Sequence, residues 1–288
     1  MKSKDWLVFI GLALVWGSSF FWIKIALEEV GPFLLVSMRV LFGLLGLLVV
    51  YMLRRPAWPK DKTLLRNLLL LGLTNTAFPF ILISWAELHI DSAVASVLNS
   101  SVPLFTTVIA HIALTDDKMS SRRVLGLLVG FAGVALLVLR DVPGDLHMNL
   151  LAQGAMILAV LFYAGSAVFA RSKTKGAPQE VQAMVPLVSA TAFMWAATFM
   201  VEGPVHLPGE TSTWVALLWL GLAGSCAAYL FYYYLIHSVG PTRTTMVTYT
   251  FPVVGVTLGV LFLGEALDWQ LVAGGVLILA SLLIVNRG

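Results

Sequence analysis

The chain has 288 residues, of which 59% are hydrophobic and 11% charged, with a net charge of +3 and a mean hydropathy of +0.91. A soluble domain of this length carries about a quarter charged residues, so a water-facing globular surface is excluded and a polytopic membrane protein is implied. The single cysteine, Cys226, excludes an intrachain disulfide framework and a cysteine-based metal site.

In chain order, ten apolar stretches have the roughly 17–25 residues that a bilayer-crossing helix requires. They read as spans 6–27, 33–53, 66–87, 93–114, 122–139, 150–170, 180–201, 213–236, 241–263 and 269–285. The first is longer than a signal-peptide core and no small-residue cleavage site follows, so it reads as a retained span. With the N-terminus inside, fifteen of the eighteen Lys and Arg residues fall in cytoplasmic segments and only Arg140 in an outer loop. That bias places both termini in the cytoplasm. Trp6, Trp58, Trp214 and Trp269 sit at span ends, where interfacial anchors belong.

The stretch LVWGSSFFWIK, residues 14–24, interrupts the first span with polar and aromatic groups. Ten residues beyond Trp6 at about 1.5 Å each, Trp16 lies roughly 15 Å deep, the middle of a core about 30 Å thick. The same arithmetic brings Phe78-Pro79, Pro103, Tyr163 and Pro252 near the midplane. The prolines of spans 4 and 9 free the carbonyls of Asn99 and Thr248, inside the polar clusters Asn99-Ser100-Ser101 and Thr248-Tyr249-Thr250. At membrane depth such groups are satisfied by protein or by a water-filled cavity. Singly, each reads as interhelical glue of about 1 kcal/mol or less; gathered at one depth from both halves, they point to a cavity. Its expected substrate-binding residues are Trp16, Ser19, Phe78, Leu82, Asn99, Ser101, Tyr163, Thr245, Thr248 and Tyr249, with Pro103 and Pro252 as hinges.

Two cations fall within spans. Lys24 and Arg39 lie near outer helix ends and are expected to snorkel outward or pair with Glu28, Glu29 or Glu87. The alternative for Lys24 is to draw a substrate carboxylate to the outer mouth. No acid lies in the middle of a span, which leaves a proton relay unsupported, and no cation is expected deep enough to hold a phosphorylated solute. GxxxxGK[ST], HExxH and GxSxG are absent, so an enzyme, a cofactor, a metal and a nucleic-acid partner are not expected. Gly126-xxx-Gly130 and Gly255-xxx-Gly259 read as packing seams. A functional monomer is expected, with a dimer on span 5 or 10 as the alternative.

The halves 1–141 and 142–288 resemble each other. A shift of 149 residues sets Pro103 on Pro252, Leu114 on Leu263, Asp116 on Glu265 and Gly126 on Gly275, and at a shift of 147 WGSSFFWIK lies over YAGSAVFAR, Trp16 on Tyr163, Ser19 on Ser166 and Lys24 on Arg171. With five helices each, the second copy must be inverted, an architecture of secondary transporters whose substrate site lies at the repeat interface.

The residues WGSSFFWIKIAL, GPFLLVSMRVLFGLL and SAVASVLNSSVPLFTTVIAHIAL, with PTRTTMVTYTFPVVGVTLGVLFLGEALDWQLVAGGVLILA, resemble the EamA repeat of the drug/metabolite transporter superfamily over essentially the whole chain. The resemblance implies an all-α polytopic membrane protein, ten transmembrane helices as two inverted five-helix repeats around a central cavity, in a bacterial inner membrane. It also implies export of small metabolites. Small multidrug members place a glutamate in their first helix, and this sequence has none there. Aromatic walls and neutral polar groups suit an amino acid with an aromatic bias, as in the aromatic amino-acid exporter branch. Another neutral or zwitterionic metabolite or drug, a nucleotide-sugar-type carrier and, distantly, a membrane-embedded enzyme remain alternatives.

Overall fold

The structure is a computed structural model that describes residues 2–113, 120–139, 146–174, 176–239, 244 and 246–286. Eight helices are long and apolar enough to cross a membrane. They are α1 (Ser3–Ala26), α2 (Pro32–Arg54), α3 (Lys62–Ala86), α4 (Ser92–Ala113), α5 (Ser121–Val138), α6 (His147–Lys173), α7 (Gln179–Val201) and α8 (Thr211–Ile236). Two shorter apolar helices follow, α9 (Met246–Phe262) and α10 (Trp269–Val285). Together they form an all-helical polytopic bundle with no strand among the described residues. Thr245, Leu114, Asp116, Arg140, Lys118, Lys175, Arg243 and Arg287 lie outside the described residues.

Packing follows one rule. The helices pair as α5 with α10, α2 with α7, α4 with α9, α3 with α6, α1 with α8, α2 with α8, α3 with α7, α1 with α9 and α4 with α6. Exchanging each helix for the one five places away maps this set of the most extensive pairs onto itself, whereas lesser contacts of α4 with α10 and of α1 with α4 have no counterpart of like extent. The α5/α10 contact brings backbone against backbone: a Cβ on Gly133 would lie 2.8 Å from the Gly274 carbonyl oxygen, and one on Gly126 would lie 2.7 Å from the Val285 side chain. The glycines of α5 thus serve packing inside the chain. Gly255 of α9 likewise meets Ser96 of α4.

The helix ends gather at two levels. At the level of residue 3, Arg54 closing α2 pairs with Glu180 opening α7 at 3.0 Å, and Asn67 donates to the Lys173 carbonyl at 3.1 Å. At the opposite level, Glu202 accepts the Phe33 and Leu34 amides that open α2, both at 2.9 Å. Glu265 accepts the Ser92 and Ala93 amides that open α4, at 2.7 and 2.9 Å. Each carboxylate satisfies two amides left orphaned by a helix start and meets the positive end of its dipole. Trp6, Trp58 and Trp269 are exposed near helix ends, as anchors should be, whereas Trp214 is part-buried with its indole N–H on the Pro208 carbonyl at 2.9 Å.

Five helices lose α-geometry within their length. α1 breaks at Ser18, between Ser3–Gly17 and Ser19–Ala26. α4 breaks at Ser100-Ser101, between Ser92–Asn99 and Val102–Ala113, just ahead of Pro103. α9 opens as a 3₁₀ turn, Met246–Thr250, just ahead of Pro252. α3 and α8 contain π turns, Leu73–Ala77 and Trp219–Ala227. In α3, the following Pro79 has no amide to give the ladder. In α8, the Ser225 hydroxyl bonds the Leu220 carbonyl at 3.1 Å.

Candidate transport site

The site begins where α1 and α8 interlock. The Trp16 indole N–H donates to the Gly224 carbonyl at 3.1 Å, inside the π turn of α8. In return the Trp219 indole N–H, from that same turn, donates to the Ser18 hydroxyl at 3.1 Å, at the break of α1. Each irregular backbone is thus read by a tryptophan of the other helix, with a hydrogen bond worth about 1 kcal/mol net. Around Trp16 stand Tyr229, Tyr232 and Phe251, ring centroids 6.0, 5.5 and 6.4 Å away. Trp16, Tyr163, Tyr229 and Tyr232 are only half-buried although they belong to the interior packing of the bundle. Their rings border accessible space at the level of the helix breaks.

Arg39 stands beside Tyr163 and Tyr229 of this group and corrects two expectations. It neither snorkels nor pairs: it is 5% exposed and makes no ion pair among the described residues. The bundle therefore does hold a deep cation. The guanidinium carbon lies 3.9 Å from the centre of the Phe80 ring, and Nε donates to the Ser225 hydroxyl at 3.3 Å. Tyr163, Tyr229 and Glu87 are its electrostatic neighbours. A cation–π contact contributes about 0.5–2 kcal/mol, while burying an ion costs several kcal/mol even after relaxation. The cation is under-compensated. Lys24, by contrast, is engaged: its ammonium donates to the Glu87 and Ile90 carbonyls beyond the end of α3.

The expected site residues fall into three places. Trp16, Ser19 and Tyr163 come together around Arg39; a Cβ on Gly224 would lie 3.7 Å from both the Ser19 hydroxyl and Arg39 Nη2. Asn99 is 8% exposed at the break of α4, and its Oδ1 meets no donor. Neighbouring Ser101 is fully buried, its hydroxyl spent on the Leu98 carbonyl at 2.6 Å. Phe78 packs on Phe162 and Phe193 at 5.3 and 5.4 Å, while Leu82 packs on the interior core to which Trp16 and Tyr163 also belong. Tyr249 reaches the Leu282 carbonyl of α10 at 3.4 Å, and Thr248 is part-buried beside it. Thr245 lies outside the described residues.

Phe80, Arg39, Tyr229, Tyr232 and the π turns were not singled out by depth arithmetic. A separate groove of about 350 Å³ runs between α3 and α6, walled by Leu70, Leu158, Leu161, Phe162 and Phe169, with Thr74 and Ser166 as polar members. Those two hydroxyls bond each other at 2.9 Å. Among the described residues no group of His, Cys, Asp and Glu is placed to hold a metal. What the region around Trp16 and Arg39 offers is aromatic surface, a few polar atoms and one guanidinium with no carboxylate bonded to it, a set suited to holding a small solute.

Comparison with known proteins agrees in kind. The inner membrane transporter YedA of Escherichia coli (strain K12) is 30% identical over 277 residues, covering 95% of this chain and 88% of YedA. A probable amino-acid metabolite efflux pump of Salmonella typhimurium (strain LT2) is 24% identical, covering 99% of this chain and 95% of that one. A crystal structure 19% identical, covering 99% and 98% of the two chains, superposes with a TM-score of 0.70 and shares the fold. The model of the EamA-like transporter family matches twice, at residues 4–139 and 150–287, and the chain belongs to that family of membrane transporters.

Proposed function

We propose that the chain exports small amino-acid-like metabolites, aromatic ones foremost, across a bacterial inner membrane, with both termini in the cytoplasm. The observation that carries this reading is the half-buried aromatic group at the break level: Trp16 and Tyr163 from α1 and α6, with Tyr229 and Tyr232 of α8. Aromatic side chains held on rigid helices by their own hydrogen bonds favour a flat apolar solute body, and few polar groups fix its orientation. The efflux-pump relative of Salmonella supports the amino-acid class, and YedA supports the inner membrane.

In this reading the halves 1–141 and 142–288 act as inverted units that rock about the chamber. The exchange symmetry of the most extensive helix pairs supports it, since each of these contacts between the units maps onto another, or onto itself, when the units are swapped. The breaks ahead of Pro103 and Pro252 act as the flexible points. Trp16, Ser19 and Tyr163 form the wall of the site, and Asn99 contributes an acceptor. Phe78, Leu82, Ser101, Thr245, Thr248 and Tyr249 shape the surrounding helices. The protein works as a carrier and not as an enzyme, and a monomer suffices.

Counterflow in proteoliposomes preloaded with unlabelled amino acid tests this, following labelled phenylalanine, threonine and a nucleotide sugar in parallel. Saturable entry of phenylalanine ahead of threonine, without an imposed gradient, is expected. Entry of the nucleotide sugar alone sinks the substrate reading.

A further inference from the structure

We propose that Arg39 is the anion-binding group of the transport site, so that every good substrate carries a carboxylate that docks on its terminal nitrogens. This rests on the carrier reading above and narrows it from amino-acid-like solutes in general to a stated ionic head group.

A guanidinium has five N–H donors and no acceptor. In Arg39 the Nε–H is given to Ser225, and one face of the plane is covered by Phe80. The two terminal nitrogens hold no hydrogen bond or ion pair among the described residues. They are not sealed off either, because they are absent from the buried polar atoms that lack partners. Each keeps some accessible surface. Gly224 borders that surface: a methyl there would stand 3.7 Å from Nη2, at ordinary contact distance, so the glycine leaves room beside it.

The surrounding charges select the ligand. Lys24 is held by two backbone carbonyls. Glu202 and Glu265 are committed to helix starts. Glu87 is fully buried with both oxygens lacking donors, near enough to be felt by Arg39 but not bonded to it. One unneutralised guanidinium matches one carboxylate, which it binds by two parallel N–H···O bonds. A phosphate monoester would bring nearly two charges to a single cation. The aromatic rings beside Arg39 then receive the apolar body of the solute, and their faces attract an ammonium group.

The test is competition against labelled phenylalanine by phenylalanine, phenylalaninamide and 3-phenylpropionate, in wild type, Arg39→Gln and Arg39→Lys. In wild type the two carboxylates should compete at least about tenfold better than the amide. Arg39→Gln should erase that difference, and Arg39→Lys should keep part of it. Because Arg39→Gln can also misfold, Gly224→Ala serves as the second variant. Its methyl meets only ordinary contacts, so the melting temperature should hold while carboxylate competition weakens severalfold. Equal competition by amide and acid in wild type overturns the inference while leaving the carrier reading intact. If no amino acid is carried, thermal shift with 3-phenylpropionate decides. A shift in wild type that Arg39→Gln abolishes sustains the anion site and drops the amino-acid reading; no shift overturns the anion site.

Discussion

The seam between α5 and α10 and the interlock between α1 and α8 are both contacts between apolar helices, yet they are built in opposite ways. In the seam, Gly133 and Gly274 let two regular backbones touch, and Ser281 turns its hydroxyl back on the Ile278 carbonyl at 2.6 Å. In the interlock, both backbones are irregular and large rings fill the distance. Lipid gives no hydrophobic drive between helices, so close packing of small residues must hold the bundle. Irregular backbone inside a membrane is tolerated only against protein or water. Rigidity therefore sits in the seam, and in the function proposed above recognition sits in the interlock.

The sharpest way to break the comparison is to fill the seam. Gly133→Leu puts side-chain atoms where the Gly274 carbonyl stands, 2.8 Å from the first carbon. Overpacking of this kind costs roughly 1–3 kcal/mol, and more where backbone cannot retreat. The melting temperature in detergent should fall steeply, or folded protein should be lost, with no change in substrate preference in whatever remains. Trp16→Ala should do the reverse. It removes an indole hydrogen bond of about 1 kcal/mol and edge contacts of about 0.5–1.5 kcal/mol. We expect affinity for phenylalanine to drop about tenfold, with a fall in melting temperature smaller than that of Gly133→Leu, and unaltered affinity would remove Trp16 from the site.

Helix positions were legible in the sequence because bilayer thickness imposes a length on every apolar run. The expected spans 180–201 and 269–285 became Gln179–Val201 and Trp269–Val285. Azimuth was not legible. Phe78 and Phe80 differ by about 3 Å in height but by about 200° around the helix, and it is Phe80 that lies under Arg39 while Phe78 faces Phe162 and Phe193. Arg39 was misread for a related reason: seven residues into α2, a long side chain reaches the interface if it points outward and the interior of the bundle if it points inward. The prolines announced the breaks in α4 and α9. The π turn of α8 has no proline, only Gly221, Gly224 and a serine hydroxyl in register with a carbonyl five residues back.

A smaller effect is expected from the hinge. Pro103→Ala restores an amide that the last turn of Ser92–Asn99 lacks, and so favours a continuous α4. Turnover in counterflow should fall a few-fold while half-saturation stays put, since no substrate contact is changed. Unchanged turnover would mean that the break at Ser100-Ser101, sealed by its own hydroxyls on the Val97 and Leu98 carbonyls, is a fixed bend.

The smallest effect concerns a latch far from both regions. Glu29, in the loop after α1, accepts the Gly209 and Glu210 amides just ahead of α8. The Gly209 amide chiefly, then the Thr213 hydroxyl and the Glu210 amide, hold its carboxyl below the ordinary glutamate value of 4.5, against a partial desolvation. A carboxyl depressed in the folded state adds stability that is complete above its unfolded value and disappears as pH falls through the folded one. Melting temperature measured from neutral pH to well below 4.5 should therefore decline, and Glu29→Gln should decline less. The carboxylate is exposed and screened, so the difference should shrink further at high salt. Equal acid sensitivity in the two proteins would leave the latch with a geometric role only, the amide oxygen of glutamine accepting the same two bonds without the charge.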